Sequence, residues 1–217
     1  MTRLAAFALT LFLTLAAPLR ACDLALLLAV DVSGSVDKQE YRIQMDGLAA
    51  ALRDGIVADA LIDQQAQIAL IQWTGSSRQR QTVPWTAIRT YVDVLTLADT
   101  IEADPRIWRN YSTAIGEALE VSRAALAPVA HCARRVIDVS GDGESNEGIA
   151  PVTQRARLRA DEVTVNAIAI ETGDEDLTAY FFENLTTGPG AFVVTANGFA
   201  DYPEQIKRKL LRETTRQ

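Results

Sequence analysis

The 217-residue sequence predicts a three-layer, doubly wound α/β domain, with a mainly parallel six-stranded sheet flanked by helices. Three observations predict it. Apolar runs of strand length recur along the chain, helix-length patterns separate them, and the first run, ending Leu26-Leu27-Leu28-Ala29-Val30, has no polar alternation. Such a run suits a strand buried on both faces, as parallel strands between two helical layers are.

Taken in order, the apolar runs lie at residues 24–30, 68–73, 136–139, 163–170 and 191–195. Helical patterns occupy 37–53, 86–103, a stretch opened by Thr113, and then 150–161, 174–185 and 199–214. In the first of them Ile43, Leu48, Ala51 and Leu52 form an apolar stripe able to cover one sheet face. Strands alternating with helices of this length build parallel β-α-β units. Residues 82–85, close behind the second strand, supply a short antiparallel edge strand, where Pro84 removes no central ladder bond.

Composition narrows the rest. Arg3, an apolar stretch over 4–18 and small residues up to Ala21 make residues 1–21 a secretory signal peptide. The stretch falls short of the roughly 20 residues of a membrane span, and no second candidate follows, so no integral membrane span is expected. The mature chain is expected to be exported, either periplasmic or secreted. Without Arg3 and Arg20 it carries 19 basic and 28 acidic residues, a formal charge of −9. A partner made of nucleic acid would require a basic face, and none is present. The one dense basic segment, Lys207-Arg208-Lys209, reads as a solvated helix end. With no internal repeat, low-complexity tract or linker, residues 22–217 form one domain.

Chemistry concentrates in three loops. Where the first strand ends, Asp31, Ser33 and Ser35 place one carboxylate and two hydroxyls within five residues. Ligands of open α/β sheets gather at such strand ends. Thr113 stands at the expected start of a helix, where its hydroxyl can either cap backbone N–H groups or face a metal. Asp142 ends another apolar strand ahead of Gly143. If the loops converge, the set is all oxygen, with no thiol or imidazole. That donor set favours Mg²⁺, or Mn²⁺ or Ca²⁺, over zinc and copper.

The order Asp31-x-Ser33-x-Ser35, then Thr113 before a helix, then Asp142-Gly143 resembles the metal-ion-dependent adhesion site (MIDAS) of von Willebrand factor A (VWA) domains. The resemblance covers nearly all of the mature chain. More narrowly, Val30 to Asp37, Gln72-Trp73, Thr113 to Gly116, Val136 to Gly143 and Gly188 to Phe192 resemble an uncharacterised family of exported bacterial VWA-like proteins. The resemblance implies metal contact through the Ser33, Ser35 and Thr113 hydroxyls. It also implies that Asp31 and Asp142 act mainly through water, and that a protein or peptide partner presenting Asp or Glu completes the coordination. Asp37, Trp108, Tyr111, Glu144 and Asn146 are the candidate partner contacts around it. Asp138-Val-Ser-Gly duplicates Asp31-Val-Ser-Gly, but the family pattern selects Asp142 and leaves Asp138 as a structural carboxylate inside a strand. A buried carboxylate needs a partner, for which Arg134 or Arg135 is expected.

In the VWA strand order the strands led by Cys22 and Cys132 are neighbours. The two cysteines lie 9 residues before Asp31 and 10 before Asp142, respectively, which implies a Cys22–Cys132 disulfide. A lipid anchor on Cys22 is the alternative, since Leu19-Arg20-Ala21-Cys22 resembles a bacterial lipoprotein signal apart from Arg20. The reading is that of a binding domain and not an enzyme. The single His, His131, falls at the far end of its strand from Asp142, out of reach of a Ser-His-Asp arrangement. No nucleophile elbow or phosphate loop occurs. A metal-dependent phosphoester hydrolase and a VWA scaffold that binds no metal are the competing readings.

Overall fold

The computed structural model describes residues 22–215; residues 1–21, expected to form a signal peptide, lie outside the described residues. Six strands form one sheet in the order β3-β2-β1-β4-β5-β6. They are β1 (Leu24–Asp31), β2 (Gln67–Trp73), β3 (Gln79–Ala87), β4 (Arg134–Gly141), β5 (Val163–Ile170) and β6 (Val193–Ala196). Every neighbouring pair is parallel except β2 with β3, which makes β3 the antiparallel edge.

Strand β1 shows why the sheet has a helical layer on each side. All eight of its residues are buried. Successive side chains leave a strand on opposite faces, so Leu24, Leu26, Leu28 and Val30 enter one apolar cluster while Ala25, Leu27 and Ala29 enter the other. The first cluster is completed by α1 (Lys38–Arg53), α2 (Gly55–Asp63), α3 (Tyr91–Ala103) and α7 (Tyr202–Thr214), through residues such as Leu48, Leu61, Leu97 and Leu210. The second is completed by α4 (Ile115–Ala125), α5 (Arg155–Ala160) and α6 (Leu177–Asn184), through Leu119, Leu158 and Phe181.

The departures from the sequence reading are local. Strand β3 extends further than residues 82–85, so the helix expected from 86 begins only at Tyr91, where Thr90 and Asp93 form a reciprocal capping box. Helix α2 is an addition to the expected elements, started by Asp54, whose carboxylate accepts from the N–H groups of Ile56 and Val57. Helix α4 has Ala114 at its N-cap and no side-chain cap, so Thr113 is not a capping residue.

The expected partner of Asp138 is corrected. Arg134 instead donates to Gln64 Oε1 and to the Glu213 carbonyl, at 2.7 and 3.1 Å, and Arg135 lies 3.8 Å from Glu162. Asp138 is paired with Lys209, which also reaches Glu213 at 2.5 Å. Lys209 is therefore no solvated helix end: it is 0% exposed, while its neighbour Lys207 reaches Asp54 at the surface. The reason is register, because in α7 Lys209 shares the inward stripe with Ile206, Leu210 and Glu213.

Cys22 and Cys132 form a disulfide across the beginnings of β1 and β4, with their Cα atoms 4.7 Å apart. No helix among the described residues is long and apolar enough to cross a membrane.

Candidate functional site

Parallel pairing aligns the ends of the strands as well as their beginnings. Asp31 ends β1 and Asp142 follows the last residue of the adjacent β4, so the two carboxylates arrive at the same rim. The Asp31 carboxylate turns back onto its own loop, its Oδ1 accepting from the Ser33 N–H at 2.7 Å. From there the hydroxyls form a chain: Ser33 Oγ lies 3.2 Å from Ser35 Oγ, which donates to Asp142 Oδ1 at 2.6 Å.

Two further segments hold that loop in place. Arg106 donates through one nitrogen to the carbonyls of Val32 and Ser33, at 3.0 and 2.8 Å, and the Gly34 N–H donates to the Tyr111 carbonyl at 2.7 Å. Arg106 was not among the residues singled out from the sequence. A lone arginine between helices carries no pattern signal; only the fold shows that it spans to the Ser33 loop.

Thr113 is locked through its backbone. Its N–H donates to Asn146 Oδ1 and its carbonyl accepts from the Asn146 N–H, both at 2.9 Å. The nearby Ile115 N–H is taken by Ser145 Oγ at 3.2 Å, and the Ala114 N–H donates to the Thr74 carbonyl at 3.1 Å. The start of α4 is thus satisfied by other loops, and the Thr113 hydroxyl makes no hydrogen bond among the described residues. Asn146, expected as a partner contact, braces Thr113 with its side chain.

Of the other expected contacts, Asp37 is the N-cap of α1 and accepts from the Glu40 N–H at 2.8 Å. Tyr111 is 40% exposed, with the Arg78 guanidinium stacked 3.7 Å from its ring centre. Glu144 is exposed, whereas Trp108 is half-buried against the core.

The electrostatics of this rim call for a cation. Asp31 is fully buried, and its Oδ2 has no hydrogen-bond partner. Burial first, and the Asp142 charge second, raise its pKa to about 8. Asp142 is also raised, chiefly by burial. Two carboxylates that disfavour their own charge, beside hydroxyls that supply lone pairs without adding charge, suit a hard divalent ion. One comparison isolates this strain. Asp31→Asn keeps an acceptor for the Ser33 N–H and removes the buried charge. Without added metal at pH 8, it is expected to raise stability by about 1–2 kcal/mol in urea denaturation. A loss of stability would mean that the Asp31 charge is already compensated within the protein.

Among the described residues, the one cluster of at least three His, Cys, Asp or Glu side chains close enough to share an ion is Cys22, His131 and Cys132. Its two sulfurs are joined to each other, which leaves a single imidazole.

Residues 21–217 match a family model described as "Protein of unknown function (DUF1194)". The chain belongs to this family. No curated protein matches it. Among solved structures, it is similar to proximal thread matrix protein 1 from the mussel byssus, with a TM-score of 0.69 at 20% identity over 88% of this chain and 47% of that one. A second structure of the mussel protein, with a zinc-occupied MIDAS motif, gives 0.66 at 18% over 89% and 46%. The pilus adhesin SpaC from Lactobacillus rhamnosus GG gives 0.66 at 13% over 89% and 31%. A von Willebrand factor type A protein from Catenulispora acidiphila gives 0.62 at 15% over 89% and 43%. The DUF1194 chain thus spans under half the length of each, and at these identities the likeness shows a shared VWA-like fold.

Proposed function

We propose that this DUF1194 protein is an exported, metal-ion-dependent binding domain that takes a protein or peptide partner through an acidic side chain. Ser33, Ser35 and Thr113 would hold the ion through hydroxyls, with Asp31 and Asp142 supplying the negative charge around it. The observation that supports the reading is the chain of contacts joining Asp31, Ser33, Ser35 and Asp142, with the Asp31 Oδ2 buried and unpartnered and Thr113 held on the loop that follows Tyr111, to which Gly34 bonds. The mussel protein's zinc-occupied motif supports divalent binding by this fold. The oxygen-only donor set here favours Mg²⁺, with Mn²⁺ or Ca²⁺ as substitutes.

When bound, the ion supplies a positive charge that the partner's carboxylate completes. The chain's own residues do the rest: Arg106 fixes the Ser33 loop, Asn146 fixes Thr113, and the exposed Tyr111, Asp37 and Glu144 flank the rim where a partner would dock. The hydrolase reading lacks an imidazole at the rim, because His131 lies beside Cys132 at the other end of the sheet.

Calorimetric titration with Mg²⁺ and Mn²⁺ tests the proposal. Saturable heat and a raised melting temperature are expected, and both should vanish in Asp31→Ala. Heats equal to buffer dilution, or an undiminished response in Asp31→Ala, would remove the site.

A further inference from the structure

The opposite end of the molecule holds a cavity of about 800 Å³, independent of the metal-site reading. It opens where β1, β4 and β5 begin and is closed on one side by the C-terminal end of α7. Four arginines line it, Arg134, Arg135, Arg159 and Arg212, in a chain whose formal charge is −7. They are not equivalent. Arg134 is used internally, tying Gln64 to the Glu213 carbonyl. Arg135 has only the distant Glu162, and its Nε is buried without a hydrogen-bond partner. Neither Arg159 nor Arg212 forms an ion pair among the described residues.

The wall opposite is rigidly built. Phe192 is fixed by two bonds to β5: its N–H donates to Asn166 Oδ1, and its carbonyl accepts from Ala167, both at 3.1 Å. Asn166 is itself buried, and its Nδ2 donates to Glu213 Oε1 at 3.0 Å. The loop leading to Phe192 is pressed against β5 at Gly188, where φ is +93° and a Cβ would sit 2.7 Å from Thr164 Oγ1. Only glycine fits there. Arg212 stacks on the Phe192 ring at 3.8 Å. Stacking uses the face of a guanidinium and leaves its edge N–H groups, arranged as a planar fork, turned outward.

We infer that this cavity binds a small ligand carrying an oxyanion, a phosphate ester or a carboxylate, on a flat apolar body. Arg212, Arg159 and Arg135 supply the forked donors, and the exposed Pro189, with the little of Phe192 that Arg212 leaves uncovered, supplies the apolar lining. The volume is that of a small-molecule site, and the arginines converge on a concavity instead of spreading over a face, as phosphate-backbone binding would require. Arg159 and Arg212 are exposed and form no ion pair among the described residues, so their guanidinium edges are open to a bidentate oxyanion at the cavity.

Phenyl phosphate and benzoate, titrated calorimetrically into the purified protein at constant ionic strength with chloride as reference, distinguish the two sources of the anion. Saturable binding of at least one is expected. It should weaken about tenfold or more in Arg159→Gln/Arg212→Gln. Arg159→Gln alone should weaken it with no change in melting temperature, because that side chain makes no described contact to lose. Asp31→Ala should bind as the parent does. Saturation by neither probe, parental affinity in the double variant, or loss of binding in Asp31→Ala would each overturn the inference.

Discussion

Lys209→Met will destabilise the fold by about 3–5 kcal/mol, because it removes the one cation that, among the described residues, pairs with two buried carboxylates. Asp138 and Glu213 are 3% exposed each, so a charge left on either is held away from bulk solvent. The loss also depends on pH in a fixed direction. Burial, and then the Glu213 charge, push Asp138 up to about 7 from its ordinary 3.8, and Lys209 pulls it back. The folded protein therefore holds a proton that the unfolded chain has already released. The Asp138 contribution is complete below about pH 4 and disappears as pH rises through about 7. Without Lys209 that carboxyl stays protonated to higher pH, so the deficit should be larger at pH 8 than at pH 5. The other groups facing Asp138 are Glu213 and the Tyr202 hydroxyl, both on α7; Tyr202 is pushed strongly upward by burial and does not titrate in this window. Urea denaturation at the two pH values measures the difference. Adding Asp138→Asn to Lys209→Met should recover part of it, since the uncompensated charge is then gone. A deficit under 1 kcal/mol, or one that grows toward pH 5, would show that the pair is not the source.

The disulfide should matter as much. Cys22 and Cys132 are 110 residues apart, and closing a loop of that length in the unfolded chain corresponds to about 5 kcal/mol on chain-entropy grounds. Cys22→Ser/Cys132→Ser is expected to lose about 2–5 kcal/mol, read as a lower denaturation midpoint with an unchanged circular dichroism spectrum at low denaturant. Equal midpoints for the oxidised parent and the double variant would contradict the assignment. Intact mass of the parent, 2 Da below the reduced form, checks the bond directly, and an acyl-sized addition at Cys22 would revive lipidation.

These two features differ in how far the sequence discloses them. The strands were legible because parallel strands must be apolar on both faces, and β1 is a continuous apolar run up to Asp31 while β5 is interrupted only by Thr164 and Asn166. The edge strand β3 was legible from Pro84, though not its length, since its outer face is polar and gives no boundary. Helix α2 went unseen because it is short and follows α1 across Asp54 alone. The cysteine pair could be argued from similar spacing to two strand ends, 9 and 10 residues, together with the strand order that the family resemblance implied. The Lys209 pairing could not, because Asp138 and Lys209 are far apart in the chain. A lysine in a basic run looks like surface until the register of α7 turns it inward. At the candidate site, Asp31, Ser33, Ser35, Thr113 and Asp142 carried a pattern. Arg106, Ser145 and Asn146, which hold that pattern in place, are ordinary loop residues whose roles exist only once three loops have met.

The β1–β4 ladder runs without interruption from Leu24 opposite Arg134 to Val30 opposite Ser140, with the disulfide two residues ahead of its first rung. A slip of one residue would swap Leu26 and Leu28 for Ala25 and Leu27 and turn the larger apolar face inside out. The separation between Asp31 and Asp142 is consequently a length measured by backbone, like a gauge block whose far end is bolted. Side chains at the rim can be exchanged one by one without altering that dimension, and variation in what the rim recognises can accumulate on loops while the spacing of its two acids stays constant.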